Sequence, residues 1–285
     1  MAYLNRKLSL TVVFCLLLFS TVYAQRKANH RLVEIDADTA RTNTTRTNIR
    51  AIDNDVFNAG EFTGTDHSPI KYRLLQPEAK GSGKRYPLVI VLHGSGAIGT
   101  DNTAQLGVLV KYWAQPHIRE QYPAFVLAPQ FPQRSSRYAL DKKENVISSH
   151  PDICLKTLLQ LVDSLKSLPM VDSNRIYIIG FSIGGSTTVN AVGLRPGLFT
   201  AAVSISGIPD FLHLDELATT PLWLIHGNAD NENTIVSDAL LSRLLSKMAA
   251  KKTRFWEINK LKHDIYPDLY TTTILPQWLF GFKKK

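Results

Sequence analysis

The chain has 285 residues, 44% of them apolar and 20% charged, with a formal charge of +9. That composition supplies one large core and excludes a low-complexity or disordered chain. The basic excess ends in Lys283, Lys284 and Lys285 and forms no stripe interleaved with aromatics, so nucleic acid is not an expected partner.

Residues 1–24 begin with Arg6 and Lys7, continue as an apolar run over 8–19, and close on Val22 and Ala24 in the small-residue pattern of a cleavage site. The run is shorter than the roughly 20 apolar residues a spanning helix needs. A signal peptide cut after Ala24, a secreted or periplasmic product and no stable membrane insertion are therefore expected. Cleavage would remove Cys15 and leave Cys154 alone, which excludes an intramolecular disulfide. Residues 25–54, rich in Thr, Arg and Asn without a lasting apolar period, predict a polar linker or arm, and residues 55–285 a single domain.

That domain alternates strand and helix signals. Two strands between Phe57 and Leu75 flank a turn over 64–69, and the apolar run 87–92 reads as a strand buried on both faces. A helix follows over 103–113 from the spacing of Leu106, Leu109, Val110 and Trp113, then a strand over 124–128. Residues 129–150 read as a long irregular loop leaving a strand end, which makes Gln130, Phe131 and Tyr138 candidate substrate contacts. Pro151 and Asp152 open a helix whose stripe is Leu155, Leu158, Leu159, Val162 and Leu165. Further strands are expected over 176–179, 199–205, 221–225 and 254–258, with helices over 186–194, 235–249 and 270–282, the last interrupted near Pro276. This alternation predicts an α/β fold with a mostly parallel central sheet, helices on both faces and no large cap domain.

The segment Gly180-Phe181-Ser182-Ile183-Gly184 joins a buried strand to a small-residue helix. It fits the nucleophile elbow, in which glycines permit the sharp turn that presents a serine. Ser182 is thus the candidate nucleophile. A serine hydroxyl needs a base, and the base a carboxylate, arriving in the order Ser, acid, His. His263, after the last strand, is chosen over His226, which adjoins the acid; His93 and His213 read as structural or solvent-facing. Asp230 is the candidate acid, with Asp210 and Asp264 as rivals. The glycine-rich turn at His93, Gly94, Ser95 and Gly96 offers the backbone N–H of Ser95 as one oxyanion donor, and Ile183, after the nucleophile, offers the other. No metal-ligand spacing is present and no cofactor is implied.

These stretches, with Phe125-Val126-Leu127-Ala128-Pro129-Gln130 and Ile225-His226-Gly227-Asn228-Ala229-Asp230, resemble the α/β-hydrolase superfamily. Within it they are similar to the secreted esterase-like group often labelled predicted peptidases, related to phospholipase/carboxylesterase and feruloyl-esterase-like enzymes. The chain departs from the group after the acid, where Asn231 to Val236 replaces the usual Val-Pro pair, and at Phe131, where relatives often carry Cys. The resemblance implies a secreted serine hydrolase that cleaves carboxylic esters, small or polysaccharide-linked, through an acyl-enzyme. A peptidase or amidase using the same groups, and a non-catalytic binding module on the same scaffold, are the alternatives; acyl and alcohol specificity and oligomeric state stay open.

Overall fold

The computed structural model describes residues 29–35, 38–65, 67–78 and 83–285, so the signal segment expected at 1–24 lies outside the described residues. In chain order the elements are β1 (His30–Val33), α1 (Thr39–Arg50), β2 (Asn58–Thr63), β3 (Pro69–Leu75), β4 (Tyr86–Leu92), α2 (Val108–Lys111), α3 (Pro116–Gln121) and β5 (Phe125–Gln130). Next come β6 (Ser136–Asp141), β7 (Val146–Pro151), α4 (Ile153–Lys166), β8 (Val171–Phe181), α5 (Ile183–Leu194) and β9 (Ala201–Ile205). The chain continues with α6 (Leu214–Thr219), β10 (Leu222–Gly227), α7 (Val236–Lys247), β11 (Thr253–Ile258), α8 (Asp268–Thr271) and α9 (Ile274–Phe280).

Nine strands form one sheet in the order β1-β11-β10-β9-β8-β4-β5-β3-β2. The pairs from β1 to β5 are parallel, and the hairpin of β2 and β3 adds antiparallel strands at one edge. The apolar run of β4 is explained by burial on two faces. Leu88, Ile90 and Leu92 enter one core cluster with α4, α5 and α7, whereas Val89 and Val91 enter the other with α1, α2, α8 and α9. From β4 the chain moves to β5 on one side and later to β8 on the other. That reversal opens a crevice beyond the strand ends, where open α/β sheets bind ligands.

Residues 29–35 and 38–54, the described part of the segment expected to be a linker or arm, are integral to the fold. β1 pairs in parallel with β11, from His30 against Phe255 to Val33 against Ile258. Asp38 caps α1 by accepting from the Arg41 amide, Ile49 is 1% exposed in the core, and Arg46 donates to Asp264 at 2.7 Å. The long loop expected over 129–150 is also replaced, because β6 and β7 form an antiparallel hairpin. Hydroxyls and an amide dock it onto α5: Ser135 and Ser136 bond Thr187, the Asn190 amide donates to Ser136, Ser149 donates to Asn190, and Tyr138 bonds Ser186.

Two helix expectations change as well. In place of a helix over 103–113, α2 spans Val108–Lys111 and runs into a short 3-10 turn. The final helix is split: the chain is extended at Thr272, and Pro276 lies in the first turn of α9 rather than at the break. A proline there loses no intrahelical bond, since the first-turn N–H groups have no acceptor within the helix.

Candidate active site

β8 ends at Phe181, and the chain turns into α5 through Ser182, whose φ of 57° and ψ of −122° place a non-glycine residue in the left-handed half of conformational space. Backbone strain of this kind costs on the order of 1–3 kcal/mol and persists where surrounding structure over-determines it. Here close packing does so. A Cβ at Gly180 would lie 2.0 Å from the Gly184 carbonyl oxygen, and one at Gly184 would lie 2.5 Å from that of Leu92. The amide of Ser182 also donates to Ile205 O at 2.9 Å, tying the turn to the end of β9.

Ser182 Oγ donates to His263 Nε2 at 2.9 Å, and His263 Nδ1 donates to Asp230 Oδ2 at 2.7 Å. Ser182 is 8% exposed and the His263 side chain 10%, so the bonds lie at the edge of solvent. Phe181 packs against the His263 ring with centroids 5.0 Å apart. Asp230 follows β10 in a turn that satisfies its other oxygen, since the amides of Glu232 and Asn233 both donate to Oδ1, at 2.9 and 3.0 Å. Burial pushes the Asp230 carboxyl up, but hydrogen bonds from His226, His263 and the Asn233 amide outweigh it and hold the group well below the usual carboxylate range.

The rival residues are engaged elsewhere. Asp210 accepts from His213 Nδ1 at 2.5 Å and from the Leu212 amide, and Asp264 accepts from Arg46. His226 is buried behind Asp230 rather than beside Ser182, with its Nδ1 on Asp238 at 2.8 Å.

Both candidate oxyanion amides open a helical turn. Ile183 is the first residue of α5 and Ser95 the first of a 3-10 turn, Ser95–Ala97, positions whose N–H groups have no acceptor in their own helix. Gly94 rests against the nucleophile: a Cβ there would lie 3.3 Å from Phe181 Cδ1 and 3.5 Å from Ser182 Cβ. His93 fixes this loop. Its Nδ1 donates to Gly94 O at 2.7 Å and its Nε2 accepts from the Phe131 amide at 3.0 Å, which requires a neutral ring. Burial pushes the His93 imidazole down, in the same sense.

Of the three expected substrate contacts, two face inward. Gln130 is fully buried; its amide donates to Ala97 O and Asp101 and its oxygen accepts from the Asn102 amide, so it pins the loop after Ser95. Phe131 is likewise fully buried, against the ring of His93. Both belong to the support of the site, a role hidden in a sequence where they follow a strand end. Tyr138 is closer to the expectation: its hydroxyl bonds Ser186 at 3.0 Å, one helical turn beyond Ser182. Two neighbours carried no sequence signal of their own. Glu232 is exposed with Oε2 3.8 Å from His263 Nε2, and an apolar cavity of about 220 Å³ is lined by Gly94, Gly96, Ala97, Val108, Phe181 and Ile265, among others.

Residues 79–272, more than half of the chain, match the family described as phospholipase/carboxylesterase. The chain belongs to this family. Among solved structures, a thermostable esterase is similar at 31% identity and a TM-score of 0.73, covering 81% of this chain and 64% of its own. The chain thus spans less than two thirds of that esterase. Dipeptidyl peptidase 4 of Porphyromonas gingivalis (16% identity, TM-score 0.57, 79% of this chain and 35% of its own) shares the fold. So does a puromycin-hydrolyzing peptidase of Mycobacterium tuberculosis (17% identity, TM-score 0.58, 79% and 40%). The phospholipase/carboxylesterase match and the mostly parallel sheet agree with the α/β-hydrolase architecture expected from sequence.

Proposed function

We propose that the protein is an exported serine hydrolase that cleaves carboxylic esters through an acyl-enzyme. The observation that carries this reading is the continuous chain from Ser182 Oγ to His263 to Asp230, at 2.9 and 2.7 Å, with the serine on a strained turn. As Oγ bonds to the ester carbonyl carbon, its proton passes to His263 Nε2 and negative charge gathers on the carbonyl oxygen, which the amides of Ser95 and Ile183 would receive. Collapse breaks the bond to the alcohol, which takes the proton from Nε2. Water then repeats the sequence on the acyl-serine, giving its proton to His263 and releasing the acid and Ser182. Asp230 keeps the Nδ1 proton in place, so that Nε2 is the free acceptor. The cavity beside Gly94 and Phe181 suits a modest apolar acyl or alcohol group.

An amide reading of the same groups is favoured by one feature, the exposed Glu232 carboxylate near the reacting nitrogen, which would attract the free amine of a peptide. Turnover of p-nitrophenyl acetate, butyrate and octanoate, the matching p-nitroanilides, methyl ferulate and acetylated xylan, with Ser182→Ala as background, decides between them. Serine-dependent ester turnover well above anilide turnover is the expected result. Anilide turnover equal to or above that of the esters would replace the ester reading with the amide one.

A further inference from the structure

Asp230 lies between two histidines. On the solvent side Oδ2 takes the Nδ1 proton of His263; on the inner side the same oxygen faces His226 Nε2 at 3.4 Å. His226 is fully buried, and the bonds of its Nε2 fix one of its two possible ring protons. Nε2 lies 2.7 Å from the carbonyl oxygen of Asn233, which only accepts, so Nε2 carries a hydrogen shared between that carbonyl and Asp230. Nδ1 meets Asp238 Oδ2 at 2.8 Å, a second wholly buried carboxylate, contributed by α7. The other oxygen of Asp238 is buried with no hydrogen-bond partner among the described residues. A buried carboxylate with a single satisfied oxygen is costly unless it takes up a proton or an opposite charge compensates it, and the His226 ring at 2.8 Å supplies that charge if both its nitrogens are protonated.

We propose that His226, an imidazolium held between Asp238 and Asp230, is a positioning residue that fixes the orientation and ionisation of Asp230 and so sets the basicity of His263. The proposal rests on the reading of Ser182, His263 and Asp230 as the reacting groups. Three elements converge on the device: β10 supplies His226, the following turn Asp230, and α7 Asp238. The charged groups around it are Asp230 and Glu232 from that turn, Asp238 from α7 and His263 after β11. Glu257, the register neighbour of His226 on β11, is turned to His30 and Asn228. Burial pushes both partners toward their neutral forms, the Asp238 carboxyl up and the His226 imidazole down; at His226 the hydrogen bonds to Asp230 and Asp238 outweigh burial and raise the group to about 10.

Two neutral substitutions test the role. Asp238→Asn keeps a hydrogen bond to Nδ1 while removing the counter-charge that holds the proton, and His226→Gln removes the ring but retains a donor. With positive charge lost next to Asp230, the acid limb of kcat/KM on the best ester should move up by about one pH unit in both variants. In His226→Gln, kcat should also fall by about tenfold or more as Asp230 loosens, with KM little changed. The double variant should show little beyond the larger single effect, because both substitutions break one unit. Folded variants that keep both kcat and the acid limb of the wild type would overturn the proposal. If neither variant folds, NMR of the wild type decides: two ring N–H protons on His226 at neutral pH support the device, and one overturns it. Wild-type hydrolysis that survives Ser182→Ala would instead sink the reading of the reacting groups, a separate outcome.

Discussion

Asp230→Asn is expected to lower kcat by about four orders of magnitude with little change in KM. The substitution keeps the shape of the turn, since an Asn oxygen can still accept from the Glu232 and Asn233 amides. It places an amide N–H₂ or a weaker acceptor against His263 Nδ1, where a carboxylate oxygen now sits at 2.7 Å. An N–H₂ there favours the tautomer with the proton on Nε2, the nitrogen that must take the proton of Ser182. Asp210→Asn serves as the matched control. Asp210 is 1% exposed and bonded to His213 and the Leu212 amide, outside this chain of bonds, so its loss should affect stability rather than turnover per folded molecule. Steady-state kinetics on both variants checks the assignment. A near-normal rate in Asp230→Asn, with collapse in Asp210→Asn, would move the acid to the other strand.

The second large effect is structural. Gly180→Ala should destabilise the fold by about 4 kcal/mol or more, at the extreme of single-substitution effects. Its Cβ would meet the Gly184 carbonyl oxygen at 2.0 Å and the Gly185 nitrogen at 2.7 Å, both backbone atoms of α5. Relief requires moving the helix, but α5 is buried along nearly its whole length between the sheet and the β6–β7 hairpin. No rotamer change absorbs such an overlap. Gly96→Ala is the control, because a Cβ there has nothing within 4 Å. Urea midpoints of the two variants measure the difference; equal midpoints would mean that the turn does not need close backbone approach at Gly180.

The sequence reveals the elbow because its requirements are local. A strand, a turn without Cβ atoms and a helix must be contiguous, and the residues from Ile176 to Gly185 state all three. The helix α4 is legible for the same reason, since its apolar stripe faces one core. What stayed hidden is held by polar contacts or by single anchors. The β6–β7 hairpin docks through Ser135, Ser136, Ser149 and Tyr138 against Thr187, Asn190 and Ser186, so its inward face is polar and shows no apolar alternation. Helix α1 buries Ile49 alone and relies on an N-cap and on Arg46, which leaves no helical period to read. At the site, the expected grouping of Ser182, His263 and Asp230 comes from order and strand-end position, and hydrogen bonds join the three side chains. The inward turn of Gln130 and Phe131 depends on a loop and a histidine distant in sequence. His226 was visible as a histidine beside the acid, but its tie to Asp238 exists only once α7 packs against the sheet.

The most direct test of the account is covalent. Folded wild-type protein is exposed to a fluorophosphonate, which phosphonylates an activated serine with loss of fluoride, and the product is mapped by intact mass and peptide sequencing. One adduct per chain on Ser182, absent in Ser182→Ala and formed much more slowly in Asp230→Asn, is the predicted result. Full ester hydrolysis by unlabelled Ser182→Ala, or an adduct on another residue that abolishes activity, would contradict it.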